Sequence, residues 1–214
     1  MIIMKYQELK TNIMVFIISL GVFFLSVVLA LFLSVPIYQQ IIPIFNLESI
    51  SGLSIQQLMM TYKEMIDYLT TLSINPSVLS LTYFPISPEG QVHFQDVQQL
   101  MMKVYGLLML LVPLSIYAFS WLIKYGRKKQ VNIAFKVSYV APLVLIVLMT
   151  ISFEKVFILF HQLVFSNNYW LFDPLTDPVI NILPESFFMV LFILALLLYE
   201  VIIVLIKSLI MFKF

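Results

Sequence analysis

The chain has 214 residues, 62% of them hydrophobic and only 11% charged, with a mean hydropathy of +1.03. A soluble domain carries about 25% charged residues, so this composition belongs to an integral membrane protein. The net charge is +1 with no basic stripe interleaved with aromatics, which argues against a nucleic-acid partner; the absence of cysteine excludes thiol nucleophiles, disulfides, thiolate metal sites and acyl-thioester intermediates on the protein.

Four apolar runs are long enough to cross the hydrocarbon core, about residues 13–34, 104–123, 137–158 and 187–206. Backbone polar groups must be satisfied internally in lipid, so each run is expected to be a helix. The expected fold is an all-α membrane protein: one integral domain of four transmembrane helices, with an extracytoplasmic cap that has room for an amphipathic helix and short strands. The first run follows Lys5 and Lys10. It is longer than the apolar core of a signal peptide and no small-x-small cleavage pattern follows, which predicts an uncleaved anchor.

The next segment, residues 35–103, is too long for a simple loop. Within it, Leu58, Met59, Tyr62, Met65, Ile66 and Leu69 recur with a helical period and predict an amphipathic helix over Ile55–Leu72. Val78–Ile86 is rich in strand formers and predicts a short strand. Ser87-Pro88-Glu89 predicts a helix start, with Ser as N-cap, Pro at the first position and an acid in the first turn; Gly90 weakens that signal. A helix from Pro88 would bring His93 and Asp96 onto one face at i, i+3. Pro113 and Pro142 fall inside the second and third runs and predict kinks.

Lys124, Arg127, Lys128, Lys129 and Lys136 crowd the connection between the second and third runs, and Lys5, Lys10, Lys207 and Lys213 flank the termini. Only Lys63, Lys103 and Lys155 remain for the other side, so the positive-inside rule predicts cytoplasmic termini. Segments 35–103 and 159–186, which hold both histidines, His93 and His161, are then expected outside.

The second outer segment carries two turn-initiating pairs, Asp173-Pro174 and Asp177-Pro178, and Pro184-Glu185 marks the entry to the last helix. The two histidines suit proton transfer near neutral pH, or are interfacial residues satisfied by lipid headgroups or carbonyls. Glu154 lies seven residues before His161, on the same face if the third helix continues that far. Asn167, Asn168 and Trp170 are able to stabilise an oxyanion, or to form an Asn turn and an interfacial anchor. Asp173 and Asp177 position substrate or simply form turns. Glu200 is expected to pair with Lys207 or the basic loop. His93, Asp96, His161 and Asp173 lack metal-ligand spacing, and no serine sits in a nucleophile motif, so neither a metal nor another cofactor is expected.

The run HFQDVQQL, His93–Leu100, together with FHQLVFSNNYWLFDPLTDPVINILPESFF, Phe160–Phe188, resembles the lipoprotein intramolecular transacylase family. Gly90 departs from that pattern, in which an acid is common nearby. The resemblance implies four membrane helices, a site on the outer face of the bacterial cytoplasmic membrane, and diacylglyceryl-modified lipoproteins as substrates. It implies transfer of the sn-2 acyl chain to the α-amine of the lipidated cysteine, with His93 and His161 as catalytic residues. Asp96 and Glu154 are expected to orient them, and Asn168, Trp170 and Asp173 to position substrate. The alternative is a membrane adaptor or accessory subunit whose outer loops bind a partner protein; a transporter is disfavoured because four spans without repeats offer little for alternating access.

Overall fold

The computed structural model describes residues 2–72 and 78–213; the remaining residues of the first outer segment, 73–77, lie outside the described residues. The described chain is helical: α1 Ile2–Ile44, α2 Leu47–Ser51, α3 Ile55–Thr70, α4 Pro88–Tyr125, α5 Lys128–Ile151, α6 Phe153–Val164, a short 3-10 helix Pro178–Ile182, and α7 Glu185–Phe212. Four of these, α1, α4, α5 and α7, are long and apolar enough to cross a membrane.

The chain divides into two compact units. The first comprises residues 1–29, 105–151 and 193–214. Its core gathers Val15, Ile18, Ala118, Leu122, Val131, Phe135, Ile203 and Ile210. Small polar side chains stitch these helices: Ser19 and Ser138 hydroxyls are 2.8 Å apart, and Ser115 Oγ donates to the Ile17 carbonyl at 3.3 Å. Such bonds supply directionality where lipid removes the hydrophobic contrast between helix and solvent. Glu200 does not pair with Lys207 as expected. Its Oε1 is buried without a hydrogen-bond partner, while Lys207 Nζ lies 5.0 Å from the Tyr139 ring centroid. A cation–π contact lets the ammonium settle on an apolar surface, which the sequence spacing of the two charges does not reveal.

The second unit comprises residues 30–104 and 152–192. Its core is centred on Tyr38, which stacks on Tyr62 at 4.1 Å, meets Phe187 at 5.4 Å, and donates its hydroxyl to the Ile182 carbonyl at 3.0 Å. Leu47, Leu58, Ile42 and Val179 complete it, with α2 packed against the 3-10 helix. The expected amphipathic helix is α3, one turn shorter at most. Its start is a capping box, in which Ser54 Oγ accepts from Gln57 N–H and Gln57 Oε1 accepts from Ser54 N–H. Both orphan donors are thereby satisfied.

Three expectations need correction. Among the described residues there is no strand at Val78–Ile86. A strand needs a ladder partner, and here side chains take that place: Gln91 Oε1 accepts from Leu79 N–H at 3.1 Å and Glu64 Oε2 from Thr82 N–H at 3.0 Å. The first helix runs through Pro36 and Pro43 to Ile44, well past the apolar run that ended at Ser34. The third run is two helices, broken at Ser152, whose φ −157° and ψ 83° leave the helical region. Glu154 then lies in the first turn of α6, where the helix dipole favours an acid.

Candidate functional site

Both histidines lie in the second unit and come together there. His93 is on the second turn of α4 and His161 near the end of α6. Their ring centroids are 6.0 Å apart.

The start of α4 explains how His93 is held. Ser87 is the N-cap, its Oγ accepting from Gly90 N–H at 2.9 Å, and the helix begins at Pro88 as expected. Asp177, 3% exposed, reaches this terminus from the other outer segment. Its Oδ1 accepts from Ser87 N–H at 2.7 Å and its Oδ2 from Thr176 Oγ1 at 2.9 Å. A Cβ on Gly90 would collide with Asp177 Oδ1. Gly90 is therefore not a weak helix start but the gap through which a carboxylate docks on the helix.

His161 is held by its own helix. Its Nδ1 lies 2.8 Å from the Phe157 carbonyl oxygen. A carbonyl only accepts, so Nδ1 carries the proton and Nε2 carries the free lone pair. The imidazole stacks on Trp170 at 4.6 Å and 29°, with Phe157 at 4.1 Å and Phe165 at 5.6 Å. His93 meets Phe165 and Phe172 edge-on at 5.1 and 5.4 Å, and its Nδ1 is buried without a hydrogen-bond partner.

Both imidazoles lie outside the apolar runs, yet burial disfavours their charged forms. His93 is lowered to about 4, chiefly by burial and further by the neighbouring His161, with Asp96 opposing. His161 is also lowered by burial, against the opposing effect of the Phe157 carbonyl. Burial thus favours the uncharged form of both rings. The 6.0 Å separation leaves room for a reacting centre within hydrogen-bond reach of one nitrogen from each ring.

The other sequence candidates divide. Asp96 is half-buried and its Oδ2 accepts from Asn167 Nδ2 at 2.9 Å, so it links α4 to the second outer segment instead of bonding to His93. Trp170 is at the site, 9% exposed, with its Nε1 buried and unpartnered. Glu154 is exposed and does not orient His161, whose Nδ1 takes the Phe157 carbonyl instead. Asn168 and Asp173 are exposed and build turns: the Asn168 carbonyl accepts from Leu171 N–H at 3.1 Å and Asp173 Oδ1 from Leu175 N–H at 2.9 Å. Of the two adjacent asparagines it is Asn167 whose side chain turns inward to Asp96, a choice that nothing in an Asn-Asn pair decides. Sequence reasoning passed over Phe157, Phe165 and Phe172, although the density of aromatics from Phe157 to Phe172 was a signal. Among the described residues, no group of three or more His, Asp or Glu side chains is placed to hold a metal ion. A cavity of about 590 Å³ in the first unit, lined by residues including Asn132, Tyr139, Glu200 and Lys207, contains neither histidine.

The whole chain aligns with solved structures of the integral membrane lipoprotein intramolecular transacylase Lit from Bacillus cereus. One matches with TM-score 0.85 and 27% identity over 98% of this chain and 96% of that one. Two structures of that enzyme, with a histidine replaced by alanine or by arginine, match at TM-scores of 0.80 and 0.76, each at 27% identity; they cover 97% and 98% of this chain and 93% and 94% of theirs. No curated protein sequence matches significantly. The family model for lipoprotein intramolecular transacylase Lit matches residues 12–188. With that span covering both histidines and most of the chain, this multi-pass membrane protein belongs to the lipoprotein intramolecular transacylase Lit family, acyltransferases that act on lipoproteins.

Proposed function

We propose that the protein moves the sn-2 acyl chain of a diacylglyceryl-modified cysteine to the α-amine of that cysteine, giving an N-acyl, lyso-form lipoprotein. The reaction takes place at the outer face of the bacterial cytoplasmic membrane, with both termini inside, an orientation supported by nine of the twelve basic residues falling on the terminal side. The observation that carries this reading is the pair of imidazoles 6.0 Å apart inside an aromatic shell. The nucleophile is the substrate's own amine, so a chain without cysteine and without an activated serine is sufficient.

The steps follow from the ring environments. The amine nitrogen attacks the sn-2 ester carbonyl carbon, and His161 Nε2, the nitrogen left with a lone pair, takes the amine proton. The tetrahedral intermediate collapses with cleavage of the bond to the glycerol oxygen, which receives that proton. His93 remains uncharged, because a second cation 6.0 Å from the His161 imidazolium is disfavoured, and its N–H donates to the developing negative charge. With Asp96 engaged by Asn167 and His161 Nδ1 fixed by the Phe157 carbonyl, His161 is the better base. Amine and ester belong to one molecule, so the main contribution of the site is to hold the reactive conformer.

The test is mass spectrometry of a lipoprotein N-terminus from a strain lacking other N-acylating enzymes, expressing His93→Ala or His161→Ala. Each variant should lose N-acylation. Full N-acylation by either would remove that histidine from the mechanism, and full N-acylation by both would leave the adaptor reading.

A further inference from the structure

We infer that the indole N–H of Trp170 donates to the ester carbonyl oxygen of the substrate, and so stabilises the oxyanion that forms there. The inference rests on the acyl-transfer reading above. Among the described residues of the second unit, three side-chain polar atoms are buried without a partner: His93 Nδ1, Gln98 Oε1 and Trp170 Nε1. Gln98 is engaged elsewhere, its Nε2 donating to the Tyr68 carbonyl at 2.8 Å. Of the three, Trp170 Nε1 alone is an obligate donor, since an indole has no acceptor to offer.

A buried N–H without an acceptor is costly to maintain. Trp170 is nonetheless 9% exposed and fixed by its surroundings, stacked on His161 at 4.6 Å and meeting Phe157 edge-on at 6.3 Å. The His161 ring in turn is pinned by its bond to the Phe157 carbonyl. The rigid stack therefore keeps a preformed, desolvated donor against the ring assigned as base. What the site lacks is an acceptor, and the substrate brings one. As the bond from the amine nitrogen to the carbonyl carbon forms, the C=O π pair moves onto oxygen and the Trp170 N–H bond to it strengthens. When the bond to the glycerol oxygen breaks, the C=O re-forms and the donor is released. The strengthening of that bond as charge develops lowers the barrier beyond what the ground-state bond contributes to binding.

The experiment replaces the N–H while keeping the stack. Trp170→Phe and replacement of Trp170 by benzothienylalanine, which carries sulfur in place of N–H, are assayed with a synthetic diacylglyceryl-cysteine lipopeptide in lipid vesicles. Removal of one oxyanion donor lowers turnover by roughly 100- to 1000-fold, so both variants should lose about that much in kcat with KM and melting temperature near those of the parent. Wild-type turnover in the benzothienylalanine variant overturns the inference, including the case in which Trp170→Phe fails to fold. A second readout uses the fact that the chain has only two tryptophans, Trp121 and Trp170. On binding of a non-reacting amide-linked analogue of the lipopeptide, the Trp170 indole proton should move downfield in the NMR spectrum while that of Trp121 stays; an unmoved Trp170 signal with the analogue bound also overturns it. A wild-type protein that turns over no lipopeptide and does not bind the analogue overturns the acyl-transfer reading itself, and this inference with it.

Discussion

Asp177→Ala isolates the docking of a carboxylate on the start of α4. Asp177 Oδ1 accepts from Ser87 N–H at 2.7 Å and the side chain is 3% exposed, so truncation leaves that buried donor without a partner. A hydrogen bond to a charged group contributes about 1.5–3 kcal/mol, and an abandoned buried donor costs a similar amount. A loss of about 2–3 kcal/mol is expected, which for a chain of this size corresponds to a fall of roughly 4–12 °C in melting temperature. Function should fall further than stability. His93 stands six residues after Ser87 on the same helix, and a displacement of about 1 Å at a catalytic group can cost about 100-fold in rate. The assay pairs a thermal melt in detergent with lipopeptide turnover measured well below the melt. Gly90→Ala approaches the same contact from the other side, because the added Cβ collides with Asp177 Oδ1. It should reproduce both losses, and combining it with Asp177→Ala should cost much less than the sum of the two. Wild-type melting and turnover in Asp177→Ala, or full additivity in the double variant, would refute the docking argument.

Both histidines should titrate below the ordinary value of 6.5 when followed by NMR of labelled imidazole, with His93 nearer 4. The sign follows from burial: the neutral base is present above the lowered value and is lost only as pH falls through it, so the imidazole limb of a single-turnover pH–rate profile should lie below 6.5. An imidazole titrating at or above 6.5 would contradict the enclosure described here. Asn167→Ala removes the Nδ2 bond to Asp96 and should lower turnover roughly 10-fold, the equivalent of about 1.4 kcal/mol. Asn167→Asp, which sets a like charge against Asp96, should do worse, and turnover unchanged in both would make that bond incidental.

The legible part of this protein is its hydrophobic patterning. Long apolar runs have one solution in lipid, so four long helices followed from composition alone, and Ser87 marked a helix start because capping is local chemistry. The strand expected at Val78–Ile86 failed because strand propensity says nothing about a partner, and here Gln91 and Glu64 side chains satisfy the backbone. At the site, His93 and His161 stood out as the only histidines in the chain. Their partners did not. Asp96 at i+3 offered itself to His93 but was taken by Asn167, and Glu154 at seven residues offered itself to His161 but lost to a carbonyl one turn away. Pairings across sequence distance depend on tertiary placement, to which helical spacing is blind. Gly90 shows the same limit from the other side. A defect in local helix propensity is an accommodation for a residue 87 positions later.

The aromatic shell around the histidines has a consequence for fidelity. An imidazole nitrogen able to take a proton from an amine can take one from water just as well, and water would turn the same ester into a free fatty acid. A base of this kind therefore has no means of telling the two acyl acceptors, amine and water, apart. Phe157, Phe165, Phe172 and Trp170 surround the two imidazoles, and in the proposed reaction such a shell would supply that discrimination by denying entry to one of them. On this view the rings guard the acyl chain as well as position it, and opening the shell should betray itself first as leakage to hydrolysis, before the transfer reaction slows.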